Sequence, residues 1–170
     1  MSNPKNIIAL GAVAKSVIVT RTLRGRSVSG APFVGYSRRP YYAPIDKRPA
    51  GYEAPKGGIE TKGGKTRFYP HGYGQYHRAY GLGSNVTLSV SNEMLGDIQV
   101  VGTHKKAILF FGSRLSAAKA HGHHTGTNPV LPERPFFDLS QDNAKELRAE
   151  LLKQIKKQAA ESGLDIKGGS

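Results

Sequence analysis

The stretch "NPVLPERPFFDLS", residues 128–140, decides how the second half of this chain is organised. Its prolines fix their own φ angles and bias each preceding residue away from helix. The stretch is therefore predicted to be a stiff, extended connector. A helix-like pattern follows it at once, so the connector must determine where that helix packs.

Three side chains of this connector are suited to packing. Phe136 and Phe137 supply apolar surface that can hold the following helix on a sheet. Arg134 carries a planar fork of donors that suits carboxylates or backbone carbonyls, in the same or in a neighbouring subunit. A local structural role is favoured, and a subunit contact is the alternative. The candidate contact residues of this segment are Pro132, Arg134, Pro135, Phe136 and Phe137.

Helices are predicted near both ends of the chain. Between residues 4 and 23, apolar side chains recur at steps of three and four, and Gly25 is a stop signal. The second helix begins after Ser140, a capping residue. It spans 141–161 and places an apolar residue at every fourth position from Leu147.

A hairpin is predicted between these helices. The stretch "DIQVVGTHKKAILFFGS" indicates two strands, 97–103 and 106–112, joined tightly at His104 and Lys105. The second strand is apolar on both faces, so we expect it to be central or covered. Before the hairpin, Ser91 is predicted to cap a short helical turn.

After the hairpin, "RLSAAKAHGHHTG" predicts a short helix that ends in a Gly-His loop. His121, His123 and His124 suggest a metal site, because neutral imidazoles bind zinc or nickel. No nearby residue supplies a fourth ligand with suitable spacing, so a surface loop is favoured and no metal or cofactor is predicted. The largest group of acidic residues, 4 of 12, lies on the final helix among lysines, where pairing along the helix explains them better than catalysis does. We therefore expect no enzymatic activity.

Residues 27–84 differ in composition from the rest of the chain. They are built of Gly, Pro, Tyr and basic residues with almost no aliphatic side chain, which predicts that they form no conventional core. All 8 tyrosines lie there, which argues against a simple solvated linker. We expect an extended arm that becomes ordered on a partner. The isolated protein is then monomeric or weakly associated, with a protease-sensitive arm.

Two roles for this arm remain open. In the first, its tyrosines contact a neighbouring subunit, and the candidates are Tyr36, Tyr41, Tyr42, Tyr52 and Tyr69. In the second, its cations face DNA in a channel or follow phosphates, while tyrosines stack on bases. The candidates for phosphate contact are Arg38, Arg39, Lys47, Arg48, Lys56, Lys62, Lys65 and Arg67.

Composition limits the class of protein. The formal net charge is +13, which favours a polyanionic neighbour. Residues 1–85 hold 14 Lys and Arg against 3 acids, whereas residues 86–170 hold 11 against 9, so the basicity belongs to the first half. The absence of cysteine excludes disulfides and thiolate metal sites. No apolar run approaches the ~18 residues of a membrane span, and no signal-peptide pattern is present, so a protein without a membrane partner is predicted.

The order of these motifs resembles the virion-morphogenesis or tail-completion proteins of tailed bacteriophages. These proteins act in the neck, where head and tail join. The shared features are a Gly-x-Pro-Phe-x-x-Tyr-Ser segment, a leucine-rich stretch closing on Met-Leu, a two-stranded segment, a His-Gly loop, a Pro-x-Arg-Pro-Phe box and an amphipathic helix. In this sequence they fall on residues 30–37, 88–95, 97–112, 121–126, 132–137 and 141–161.

The resemblance implies a structural virion protein in a closed ring, most often a hexamer. The ring would complete the tail and connect it to the DNA-filled head, after assembly in the host cytoplasm. The implied partners are copies of this chain and the adjacent neck, connector and tail proteins, with DNA in the channel as a further candidate. A ribosomal-type RNA-binding protein and a tail-terminator ring protein are the alternatives.

The expected fold class is α+β in one domain, residues 1–170. A small, mostly antiparallel sheet packs with the helix 4–23 and the C-terminal helix, within a core over 86–161. The long arm 27–84 projects from that core.

Overall fold

The computed structural model describes residues 4–45, 57–83, 85–88, 92–103, 105–126 and 131–161. Its helices and antiparallel strand pairs form an α+β arrangement, which confirms the predicted fold class. The helices are α1 (Pro4–Leu23), α2 (Tyr73–Ala79), α3 (Glu93–Gly96), α4 (Arg114–Thr125) and α5 (Gln141–Glu161). The strands are β1 (Tyr41–Pro44), β2 (Ile59–Glu60), β3 (Thr66–Tyr69), β4 (Ile98–Gly102) and β5 (Ala107–Phe111).

Helix α1 packs closely on the hairpin β4–β5. Two glycines make room for the contact. A Cβ added to Gly11 would lie 2.5 Å from Val100 Cγ1, and one added to Gly102 would lie 2.5 Å from Ile8 Cγ1. Helix α5 was predicted to pack on the sheet. It packs mainly against α1, which lies between it and the hairpin.

The main core forms around the connector. Phe136 is fully buried, and Phe137 packs on Phe111 of β5 with ring centroids 4.6 Å apart. These two side chains hold the connector on the core and the hairpin, whereas they were predicted to hold the following helix on the sheet. In the described part of the connector, residues 131–140, no helix or strand forms. The buried residues of this core are Ile18, Phe33, Val86, Leu88, Met94, Leu95, Ile98, Ala120 and Phe136.

A second, smaller core is built from tyrosines, and we call residues 36–45 and 57–83 the tyrosine module. Strands β1, β3 and β2 form its sheet in that order, and α2 packs on β1 and β3. Tyr69 is fully buried between them, with Ala43 and Tyr76. Gly72 is required where α2 begins, because its φ is 78° and a Cβ there would lie 2.3 Å from the Ser37 carbonyl oxygen.

The prediction of one extended arm over 27–84 is therefore wrong for the described part of that segment. The prediction counted aliphatic side chains and found too few for a core. Here aromatic rings replace them, since Tyr76 lies with its centroid 5.0–5.3 Å from those of Tyr41, Tyr69, Tyr73 and Tyr80. Each such ring buries a large apolar area and adds edge-to-face attraction.

Elsewhere, element positions agree closely with the sequence. Helix α1 has the predicted bounds, and the Ser140 hydroxyl caps α5 by accepting from the Asn143 amide at 3.1 Å. Strands β4 and β5 pair as the predicted hairpin. The predicted helical turn before the hairpin exists as α3, but Asn92 occupies the cap position. Ser91 and His104 lie outside the described residues.

Two local predictions are wrong. The Gly-His loop does not form, because α4 continues through the histidines and ends at Gly126, whose φ is 62°. Strand β5 is also covered on only one of its two faces. Its pair with β4 is two-stranded, so Ile108 and Phe110 point away from α1 and stay exposed.

Helix α1 is more apolar over its length than the sequence analysis predicted. By length and composition alone, Asn6–Leu23 could cross a membrane. A core helix of a soluble protein meets the same description, and α1 packs against both the hairpin and α5. No membrane role is inferred from it.

We predict that Gly11→Ala destabilises the protein. Alanine normally stabilises a helix by about 1 kcal/mol relative to glycine. At this position the added methyl overlaps Val100 and approaches Ala107 Cβ to 3.0 Å, so a net loss of about 1–3 kcal/mol is expected in urea denaturation. Gly96→Ala is the matched control, because nothing lies within 4 Å of its added Cβ. An equal effect of both changes would contradict the close packing of α1 on β4.

Candidate assembly site

The guanidinium of Arg134 lies at the centre of the structure, with only 2% of the residue exposed. Its Nε donates to the Val34 carbonyl at 3.0 Å, and its terminal nitrogen donates to the Gly35 carbonyl at 3.1 Å. The guanidinium carbon also lies 5.6 Å from the centroid of the Tyr36 ring. The planar fork thus contacts three consecutive residues of one extended segment, which a lysine could not do.

The backbone of the connector is bound on both sides of this arginine. The Arg134 amide donates to the His123 carbonyl at 2.8 Å, and the Val28 amide donates to the Pro135 carbonyl at 2.9 Å. From α1, Arg21 donates to the Phe136 and Asp138 carbonyls, both at 2.7 Å. The connector is therefore fixed between α1, α4 and the segment that precedes the tyrosine module.

Tyr36 joins the main core to the tyrosine module. Its hydroxyl accepts a hydrogen bond from the Thr87 amide at 3.3 Å, beside the main core. Its ring contacts Tyr73 and His77 of α2, with centroid separations of 5.2 and 4.8 Å. Together with Arg134 it forms what we call the arginine junction: Val34, Gly35, Tyr36, Tyr73 and Arg134.

Burial changes the acid-base properties of this junction. Desolvation raises the pKa of Tyr36, and the hydrogen bond from the Thr87 amide offsets part of that rise. Burial also raises the pKa of Tyr73 well above its usual range. It lowers the pKa of the Arg134 guanidinium from a high starting value, and the nearby Tyr36 and Tyr73 oppose that change. At neutral pH the junction is thus a cation enclosed by neutral aromatic rings and carbonyl dipoles.

The three histidines of α4 differ in environment. His124 Nδ1 accepts from the Phe136 and Phe137 amides, both at 3.4 Å. His123 is half-buried, its Nδ1 has no hydrogen-bond partner among the described residues, and His121 is exposed. Among the residues that the structure describes, no group of three His, Cys, Asp or Glu could hold a metal. Two of the histidines therefore act in packing the connector.

The structure separates the predicted contact residues into buried and accessible ones. Arg134, Phe136 and Tyr69 are buried by contacts within the chain, which contradicts a partner contact for these three and agrees with the local role favoured for the connector. Pro132, Pro135, Phe137, Tyr36 and Tyr41 are half-buried. Tyr42 is exposed, and Tyr52 lies outside the described residues.

The predicted phosphate-facing cations fall into two groups. Those exposed in the tyrosine module are Arg38, Arg39, Lys62 and Lys65, whereas Arg67 is half-buried and donates to the Gly57 carbonyl at 3.2 Å. Lys47, Arg48 and Lys56 lie outside the described residues. The exposed cations flank the sheet: two immediately precede β1, and two lie in the turn between β2 and β3.

Sequence reasoning missed several residues of this site. Arg21 carries no sequence signal, because its carbonyl partners lie more than a hundred positions away. For α2 a signal existed. Tyr73, Tyr76 and Tyr80 recur at steps of three and four, the spacing of one helix face, and aromatic side chains can form that face as aliphatic ones do.

Two outward faces remain apolar. On the hairpin, Val101 pairs with Ile108, and both are exposed with Phe110. On α1, the exposed side chains include Val13 and Leu23. Between residues 6 and 23 the charged side chains are those of Lys15 and Arg21, and both donate to carbonyls of this chain. A helix that turns its charges inward and leaves an uncharged face outward is typical of a helix with a further packing partner.

Comparison with family models, with curated proteins and with solved structures finds no match to this chain. The resemblance to phage neck proteins stays a prediction.

We predict that Arg134→Met lowers the free energy of unfolding by at least about 2 kcal/mol, because the Val34 and Gly35 carbonyls lose their donors inside the protein. Arg134→Lys should lower the free energy of unfolding by a smaller amount than Arg134→Met, since an ammonium cannot contact both carbonyls as the fork does. Urea denaturation followed by far-UV circular dichroism measures this. Arg148→Met on the exposed face of α5 is the control and should change stability by less than about 0.5 kcal/mol. Equal losses for Arg134→Met and Arg148→Met would contradict the junction.

Stability should also fall on mild acidification through His123. Burial, and then the nearby Arg134 charge, lower the pKa of His123. The folded state therefore binds a proton less readily than the unfolded state, whose histidine titrates near pH ~6.5. Above that pH neither state binds the proton and His123 does not affect stability. As the pH falls below it, the unfolded state binds the proton more readily, so the free energy of unfolding decreases. His123→Gln should flatten the decrease between pH 7 and 5.5, whereas the exposed His121→Gln should leave it unchanged. An unaltered slope in His123→Gln argues against this assignment.

Proposed function

We propose that this protein is a structural component of the tailed-phage virion neck. It forms a six-fold ring at the head-tail junction, where it completes the tail and connects it to the DNA-filled head. The chain acts by assembly and carries out no chemical reaction. Its partners are copies of itself, the adjacent neck, connector and tail proteins, and DNA in the channel as a further candidate.

One observation carries the proposal: segments that share motifs with the phage family meet in a single core. Phe33 comes from the Gly-x-Pro-Phe segment, Leu95 from the Met-Leu stretch, Ile98 from the hairpin and Phe136 from the Pro-x-Arg-Pro-Phe box. Arg134 of the box then contacts the backbone of the first of these segments. The motifs are thus parts of one packed unit, which supports reading their order as a fold signature.

The uncovered apolar faces support an assembling protein. Val101, Ile108 and Phe110 on the hairpin and the uncharged face of α1 lie in water in a single chain. A ring buries the same faces in every subunit, so each modest contact is repeated around the closed assembly. These faces belong to the region that resembles the neck proteins and to the helix packed on it.

A ribosomal-type RNA-binding protein remains the main alternative, and the charge distribution speaks against it. Residues 86–170 hold 11 basic residues against 9 acids, which leaves that half nearly neutral. A tail-terminator ring protein shares the assembly argument and differs in its place in the virion.

Virus particles made without this gene test the proposal. The expected result in electron micrographs is filled heads and separate, unattached tails, and complementation with the intact gene should restore joined virions. Normal virions from the deleted phage would refute a neck function.

A pair of substitutions tests the hairpin face within the same assay. Ile108→Glu combined with Phe110→Glu should leave the isolated protein folded, since both side chains already face water, and should reduce joined virions at least tenfold in complementation. Leu152→Glu, another exposed apolar residue, lies on α5 away from the hairpin and serves as the control. If the hairpin variant complements as well as Leu152→Glu does, the face is not a subunit interface.

A further inference from the structure

The outer face of the three-stranded sheet carries a row of exposed apolar rings and chains. Directly opposed residues of antiparallel strands point to the same face. Tyr42 of β1 and Ile59 of β2 both oppose Phe68 of β3. The three side chains therefore form one row across the sheet, and the Tyr42 and Phe68 rings lie 4.8 Å apart at an interplanar angle of 34°.

This row is open to solvent, unlike the rest of the aromatic cluster. Tyr42 is 59% exposed and Ile59 is 62% exposed. The other described tyrosines are half-buried or buried, because they form the inner core with α2. Tyr42 is thus the described tyrosine that keeps a free ring face, and the half-buried Phe68 lies beside it.

Cations lie at the two ends of the strands, on either side of this row. Arg38 and Arg39 precede β1, whereas Lys62 and Lys65 occupy the turn that leads into β3, next to the far end of β1. All four are exposed. Among the described residues of the module, the acidic side chain is Glu60, whose register with Arg67 assigns it to the opposite face of the sheet. The face is therefore apolar in the centre and positive at its two ends.

We propose that this face binds single-stranded nucleic acid. Unpaired bases stack on Tyr42 and Phe68, and the phosphates on either side contact the arginines at one end and the lysines at the other. Exposed aromatic rings on a sheet suit the flat apolar bases of an unpaired strand, and cations beside them suit its negatively charged phosphates. A duplex offers only its phosphates to this face, since its bases are already stacked and paired.

The proposal does not depend on a function in the phage neck. Loss of head-tail joining is measured on particles, whereas this binding is measured on the purified chain, so either can fail alone. Of the tyrosines predicted to stack on bases, Tyr69 is buried and Tyr36 and Tyr41 are half-buried, so Tyr42 is the described one that is exposed.

Fluorescence anisotropy of a labelled 20-nucleotide oligothymidine, with the full-length protein, tests this binding against a duplex that contains the same strand. The expected result is binding of the single strand at least tenfold tighter than the duplex at equal salt. Tyr42→Ala should weaken it about tenfold, the loss typical of one stacked base. Tyr42→Phe keeps the ring and should bind as the unmodified protein does.

Charge variants measure the phosphate contacts separately. Lys62→Gln with Lys65→Gln should reduce the slope of log affinity against log salt by about 1.4, at ~0.7 per phosphate contact on a single strand. Lys153→Gln with Lys156→Gln on α5 removes the same charge elsewhere and should leave the slope nearly unchanged. Circular dichroism confirms that each variant is folded.

Three outcomes would overturn the proposal. Equal affinity for strand and duplex, with no effect of Tyr42→Ala, would mean that only general charge attraction operates. Equal slope changes in both lysine pairs would show that the contacts are not on this face. No binding of either oligonucleotide, together with altered self-association in Tyr42→Ala, would assign the face to a protein partner instead.

Discussion

The burial of one guanidinium holds this structure together. Arg134 satisfies two carbonyls of the segment leading into the tyrosine module, and it does so from the middle of the proline-rich connector. A buried cation without partners would cost several kcal/mol, so this geometry is stable only because carbonyl dipoles and the Tyr36 ring surround the charge. The main core, the connector and the tyrosine module consequently meet at this arginine.

That constraint explains how a segment with few aliphatic residues can fold. Tyr36 is placed by Arg134 and the Thr87 amide, and it presents its ring to α2. Five further tyrosines then pack together between α2 and the inner face of the sheet: Tyr41, Tyr69, Tyr73, Tyr76 and Tyr80. Each ring contributes area that aliphatic residues would supply in an ordinary core. The order of the tyrosine module thus rests on contacts within the chain.

The sequence predicts the parts of this structure that depend on local periodicity. The bounds of α1, the pairing of β4 with β5 and the cap at Ser140 all follow from spacing and local chemistry. The parts that it does not predict depend on contacts between distant residues. Nothing local distinguishes Arg21 from a solvated arginine. The box singles out Arg134 but does not show that its partners are the Val34 and Gly35 carbonyls. A tyrosine-rich loop and a tyrosine-rich core also have the same composition. Helix α4 also extended through its histidines because His124 and the His123 carbonyl bind the connector.

The two halves of the chain leave different surfaces exposed, and this difference decides how each can be used. The hairpin face is small, since only alternate residues of two five-residue strands contribute to it. One such contact buries too little area for a stable pair of subunits, because specific interfaces need roughly 1,200–2,000 Å² in total. Closure of a ring compensates by repeating the contact, whereas an open pair does not. If the proposed ring forms, a single chain in dilute solution should accordingly remain monomeric, and the hairpin face would act only where a neighbouring structure concentrates the subunits. The basic face of the tyrosine module needs no such concentration, because attraction to a polyanion acts on each subunit separately.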